Sequence, residues 1–347
     1  MMSSAPALPA EWARQHAVML AWPHSDTDWN YMLDEAQDCF CRLISALSKA
    51  AQVIIIAPDA EDAATCLSKY CDGSNISIFE CDTNDTWARD FGFITTIDVK
   101  GRTFANDFKF NGWGLKFASN YDNLINRNIL SSPLSSNKAV YANRLNFVLE
   151  GGSIDVDDKG NLLTTEECLL SPNRNGQSTK EEIDSYLREA FGVKKCHWLK
   201  HGYLAGDDTD SHIDTLARFL PGGKIAYSSC DRIDDEHYEE LKLMEEELKC
   251  LVGAGGEHFG LVSLPIPQAI FDTDGNRLPA TYANFLLLNG KLFLPVYGDD
   301  KYDHKAIEAL TKAMPDYTIV AIDCRALIQQ HGSLHCVTMQ VPEGVFS

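Results

Sequence analysis

Leu292-Phe293-Leu294-Pro295-Val296, a polar stretch through His304–Met314, and Thr318-Ile319-Val320-Ala321-Ile322-Asp323 read together as strand, helix, strand. The outer runs have strand length, and the middle is long and polar enough for a helix with one apolar face. Working outward, the same order recurs. Ala17–Trp22, Leu33–Ala51 and Val53–Ala57 form one unit. Leu162–Thr165, Lys180–Phe191 and Lys195–Leu199 form another, and Lys224–Ser228, Asp234–Val252 and Leu261–Pro265 a third. A weaker fifth candidate is Thr103–Phe108, a polar segment near Tyr121–Ile129, and Ala139–Tyr141. Helical spacing shows in Leu43, Ile44 and Leu47, and hairpin chemistry in Asn289-Gly290 and in Asp157-Asp158-Lys159-Gly160. Repeated units predict an α/β architecture arranged around an axis, with a doubly wound sheet as the alternative. No low-complexity linker divides the chain, so one domain spanning 1–347 is expected.

Thirty basic against fifty acidic residues give a formal charge of −20. That balance opposes nucleic-acid binding, which rewards basic patches, and would help gather a cation; it also serves solubility alone. Eleven cysteines follow no repeating frame and form no CxxC pair, and an odd count fits a reducing compartment. Met1–Ala10 lacks the charged-then-apolar pattern of a secretory signal, and no apolar run approaches the roughly 18 residues of a membrane span. A cytoplasmic protein that does not engage membranes is expected.

Several segments carry chemistry. In Gly206-Asp207-Asp208-Thr209-Asp210-Ser211-His212-Ile213-Asp214, an extended backbone would put Asp208, Asp210, His212 and Asp214 on one face. Such a set reads as a proton carrier among acids, as a divalent-metal cluster, or as a solvated loop. Asp85-Thr86-Trp87-Ala88-Arg89-Asp90 offers a ring on which a planar cation could stack and a carboxylate to accept its N–H groups, or simply an anchored loop with a surface ion pair. In Leu149-Glu150-Gly151-Gly152-Ser153 a carboxylate ends an apolar run; the glycines permit close backbone approach or make a bulge. Cys336 follows the turn His331-Gly332-Ser333 at the entrance to a strand, where a thiol can be reactive, although a buried structural cysteine is the commoner fate. His335 would face away from Cys336 on a strand, so the distant His212 is the better partner. Gly253-Ala254-Gly255-Gly256 follows a helix and lacks the dinucleotide fingerprint.

Taken in order, these motifs resemble the agmatine deiminase branch of the guanidino-group-modifying superfamily, whose relatives include bacterial-type peptidyl-arginine deiminases. The likeness also draws on Leu8-Pro9-Ala10-Glu11-Trp12, Phe110-Asn111-Gly112-Trp113-Gly114, Thr164-Thr165-Glu166-Glu167-Cys168-Leu169, Asn173-Arg174-Asn175, Tyr282-Ala283-Asn284-Phe285 and His335-Cys336-Val337-Thr338. Phe93, Ser211 and His331-Gly332-Ser333 depart from the usual pattern in loop residues. The resemblance implies a five-bladed, pentein-like α/β propeller that needs neither metal nor organic cofactor and forms dimers or higher forms. It implies Cys336 as nucleophile, His212 as proton carrier and Glu150 as the carboxylate that orients the imidazole. It places Asp90, Asp214, Trp87 and Trp113 around a small cationic guanidino substrate, with agmatine preferred over free or peptidyl arginine. A metallohydrolase and a polyamine-binding module are the rival readings.

Overall fold

The computed structural model describes residues 5–347, so the first four residues of the Met1–Ala10 stretch lie outside it. Five small sheets are built to one plan. In four of them a central strand pairs antiparallel with the strand before it and parallel with the one after it. These sheets are Ile94–Ile97, Thr103–Lys109 and Val140–Val148; Asp155–Val156, Asn161–Thr165 and Lys195–Leu199; Ala217–Leu220, Lys224–Ser229 and Gly260–Pro265; and Leu286–Leu288, Lys291–Val296 and Thr318–Asp323. In the remaining sheet Gln15–Ala21 is central and Gln52–Ala57 is its parallel partner. Its antiparallel partner is Met339–Pro342, from the far end of the chain. Ile76–Glu80 extends that sheet outward.

A helix joins each central strand to its parallel neighbour, as a parallel crossover requires. The clearest example is Lys180–Phe191. Thr179 and Glu182 form a reciprocal capping box at its start, and Gly192 ends it in the left-handed region at φ 64°. Ile183, Leu187, Ala190 and Phe191 form its buried face, and burying the Ile, Leu and Phe side chains contributes about 1.5–3 kcal/mol each. Asn289 and Gly290 both have positive φ, at 47° and 80°, as the two-residue turn between Leu286–Leu288 and Lys291–Val296 demands. The five units read from the sequence all lie where expected, including the weak one near Tyr121–Ile129, whose helix spans Asp122–Leu130. Among the described residues no helix is long and apolar enough to cross a membrane.

Candidate active site

The catalytic candidates occupy equivalent places in the repeat. Asp90, Glu150, His212 with Asp214, Asn284 and Cys336 each lie just ahead of the strand that pairs antiparallel in one of the five sheets. Their loops touch in sequence order. Gly152 N–H donates to Asp90 Oδ1 at 2.9 Å, and a methyl added at Gly152 would lie 2.6 Å from His212 Nδ1. Asn284 Nδ2 donates to the Asp214 carbonyl at 3.3 Å and lies 3.3 Å from Cys336 Sγ. The Cys336 carbonyl accepts from Arg89 N–H at 3.1 Å, returning to the first loop.

Two glycines make this convergence possible. Gly152 faces His212, Asp90 and Asp214, all within 3.1 Å of where its Cβ would be. The pair in Leu149–Ser153 thus serves close approach, in a short 3-10 turn. Gly332 lies under the Trp87 ring, where a Cβ would fall 2.1 Å from an indole carbon. Trp87 is buried against Gly332 and Trp29, whose ring centroid is 5.8 Å away. Trp113 holds a strained left-handed backbone, φ 52° and ψ 52°. Its indole N–H donates to Asp90 Oδ2 at 2.9 Å.

The 206–214 run is not extended. Asp210 and Ser211 adopt left-handed φ of 65° and 60°, and Asp207 gathers the loop by accepting from Thr209 and Ser211. Asp208 and Asp210 therefore part from His212 and Asp214. Asp210 pairs instead with Lys116 at 2.7 Å and Arg174 at 2.5 Å. Among the described residues the four-residue metal set read from alternation is not assembled. One other group, Glu150, Cys168 and His212, brings potential ligand atoms within 4.8 Å of one another. There, Arg174 Nε already donates to both Glu150 oxygens, at 2.9 and 3.0 Å.

The electrostatics follow from burial. His212 is pushed down to about 3, chiefly by desolvation, and is neutral at pH 7. Its Nδ1 is 3.7 Å from Asp90 Oδ1, and its Nε2 is buried without a partner among the described residues. Burial, then Asp214, drives Asp90 well above the carboxylate range. Burial also raises Glu150, with Arg174 opposing it. For Asp214 burial is the largest influence and acts upward, but the hydrogen bond and charge of His335 help carry the carboxyl below its ordinary value. Its Oδ1 is buried with no partner among the described residues. Burial, then Asp214 and Asp90, holds the Cys336 thiol well above its usual value; Asp214 Oδ2 is 3.9 Å from Sγ.

The structure adds residues to which sequence reasoning gave no role. Asn284 Oδ1 accepts from His335 N–H at 2.9 Å and Cys336 N–H at 3.3 Å, fixing the backbone at the thiol. Glu11, buried, receives Arg218, His335 and the Leu287 N–H. Both stood inside quoted motifs; a carboxylate in the apolar frame of Leu8–Trp12 was the available signal.

The sequence matches the Porphyromonas-type peptidyl-arginine deiminase family over residues 7–342. A Vibrio parahaemolyticus protein provisionally named an agmatine deiminase is 33% identical, covering 96% of each chain. A solved Porphyromonas gingivalis structure, provisionally named an arginine deiminase, is 45% identical with a TM-score of 0.92, covering 98% of this chain and 99% of that one. A substrate-bound cysteine-to-serine variant of the C. jejuni agmatine deiminase is 41% identical with a TM-score of 0.89, covering 98% of this chain and 96% of that one. The chain belongs to the Porphyromonas-type peptidyl-arginine deiminase family, hydrolases acting on the C–N bonds of guanidino groups.

Proposed function

We propose that this protein is an agmatine deiminase, converting agmatine and water to N-carbamoylputrescine and ammonia through an amidino adduct on Cys336. The observation that carries the choice of substrate is the engagement of the arginines. An enzyme for free arginine needs a cation to receive the α-carboxylate. Arg89 lies 3.9 Å from Glu11, Arg174 holds Glu150 and Asp210, and Arg218 holds Glu11 and Asp155. Arg144 donates to Asn106 and stacks over Tyr186. Each of the four has an acidic or polar partner within the protein, although Arg89 Nη2 and Arg218 Nε have no hydrogen bond among the described residues. Agmatine, with an ammonium and no carboxylate at its far end, needs none of them.

Asp90 and Asp214 grip the guanidinium edges, and its charge favours the ionised form of both carboxyls and offsets their opposition to a thiolate. With the bound cation favouring the thiolate, the Sγ proton passes to neutral His212 and the sulfur attacks the guanidinium carbon. The imidazolium, with Glu150 nearby to stabilise it, gives that proton to the departing nitrogen, which leaves as ammonia. His212 next removes a proton from water, which adds to the amidino carbon. The C–S bond breaks, the sulfur recovers the proton from His212, and the ureido product leaves after its hydroxyl proton passes through solvent to ammonia. Trp87 and Trp113 bound the substrate; the Trp113 N–H also fixes Asp90. The ring-ordered contacts of five equivalent loops support a five-bladed propeller forming a single domain; a cytoplasmic location and self-association belong to the same reading and rest on the family resemblance alone.

The test is kcat/KM for agmatine, free arginine and an acetylated arginine amide under one set of conditions. Agmatine is expected to lead by at least about a hundredfold, equal to about 2.7 kcal/mol of discrimination. Equal turnover of the peptide-like substrate would leave deimination standing and overturn the substrate. An adduct trapped anywhere but Cys336 would overturn the mechanism.

A further inference from the structure

His335 lies beside the nucleophile in sequence, but its ring points to other groups. Nδ1 is 2.7 Å from Asp214 Oδ2 and Nε2 is 2.8 Å from Glu11 Oε2. All three side chains are buried. Glu11 is itself fixed, by Arg218 Nη2 at 2.8 Å and the Leu287 N–H at 2.7 Å. The result is a rigid chain, Glu11 to His335 to Asp214, that ends on a carboxylate with Oδ1 left unpartnered.

We propose that His335 is a positioning residue for the deimination reaction, clamping Asp214 through Nδ1 so that Oδ1 is presented to the substrate's guanidinium. An ionised carboxylate only accepts hydrogen bonds, so contacts at both ring nitrogens require two protons on the three groups. Burial, then Arg218 and Arg89, holds the imidazole below its ordinary value against the pull of Glu11 and Asp214. Glu11 and Asp214 are held below their ordinary values as well, so both carboxyls accept from the ring. With Nδ1–H on Asp214, Glu11 fixes the ring plane. A free carboxylate would rotate about its last torsion, whose wells are broad, and lose the geometry that paired guanidinium bonds demand. His335 touches neither the substrate carbon nor the thiol in this account; it acts through Asp214.

The inference rests on Asp214 gripping the substrate, so the experiment includes Asp214→Asn. The Asn amide nitrogen falls near the place of Nδ1 and that of Gln near Nε2. His335→Asn thus keeps the donor to Asp214, while His335→Gln keeps only the one to Glu11. In a Cys336→Ser background, which binds without turnover, His335→Asn is expected to hold agmatine within about threefold of its parent and His335→Gln to weaken it by about 10- to 100-fold. Adding His335→Gln to Asp214→Asn is expected to change Kd by less than about threefold, since both remove the same grip. With Cys336 intact, kcat/KM is expected to follow the same order. Should the Gln variant not fold, His335→Ala takes its place, and Asn is expected to exceed Ala by about tenfold. Equal losses in the two amide variants, or losses that add to Asp214→Asn, would overturn the proposal. Normal binding by Asp214→Asn alone would instead refute the role given to Asp214.

Discussion

Replacing Asp214 by Asn is expected to abolish most turnover yet make Cys336 more reactive toward a neutral alkylating agent. The two effects have opposite signs because Asp214 serves the bound cation and opposes the empty-site thiolate. Its Oδ2 lies 3.9 Å from Sγ. Two unit negative charges at that separation repel by about 4 kcal/mol at an effective dielectric of about 20. Removing the full repulsion would raise the thiolate population by about a thousandfold. A better-stabilised thiolate is also a weaker nucleophile, with a Brønsted coefficient of about 0.4–0.5, which leaves roughly 50-fold in rate. If relaxation halves the energy, roughly sevenfold remains. The assay is pseudo-first-order labelling of the free enzyme by chloroacetamide at pH 8, read by mass spectrometry of the peptide bearing Cys336. Asp214→Asn is expected to label about 5- to 50-fold faster than the parent while agmatine turnover falls by more than about a hundredfold. Unchanged or slower labelling would refute the claim that the empty site suppresses its thiolate electrostatically, and with it the substrate's part in activating sulfur.

His212→Ala is expected to lower kcat by about 10²–10⁴ with agmatine Kd changed only a few-fold; a normal kcat would remove it as proton carrier. Arg174→Met leaves Glu150 buried and unpaired, so urea denaturation is expected to show a loss of about 3–5 kcal/mol, much of it restored by adding Glu150→Gln, with activity still absent. Asp122 is raised by burial to about 7 and its Oδ2 has no partner among the described residues. Its unfolded pKa is about 3.9, so the native state holds the extra proton between those values and stability falls as pH rises through that window. Asp122→Asn is expected to flatten that slope and to gain roughly 1–2 kcal/mol at pH 8; a steeper slope would contradict the assignment. Activity is expected to survive exhaustive chelation, and its loss with recovery on adding a divalent ion would favour metal chemistry at Glu150, Cys168 and His212.

The repeat was legible because each unit carries its own local evidence: apolar strand runs, a helix with an apolar face, and turn residues such as Asn289-Gly290. Pairing of Gln15–Ala21 with Met339–Pro342 was not, since no local pattern records a partner from the other end of the chain. The extended reading of Asp208–Asp214 failed on backbone handedness at Asp210 and Ser211, where side chains rather than glycines accept positive φ. That the histidine next to Cys336 should meet an aspartate 121 positions away follows only from the folded ring of loops.

The first sheet joins strands about 320 positions apart, the later one made long after the earlier. Closing so long a loop costs little more at equilibrium than closing a shorter one, because the entropy grows only logarithmically. In time the difference is large. At about 5–20 residues per second, Gln15–Ala21 waits roughly 15–60 s after leaving the ribosome before its antiparallel partner exists. That partner's segment also delivers Cys336, so the nascent chain carries an open strand edge and lacks its proposed nucleophile until that segment is made. On the proposed chemistry, the closing of this sheet and the arrival of the nucleophile are one event.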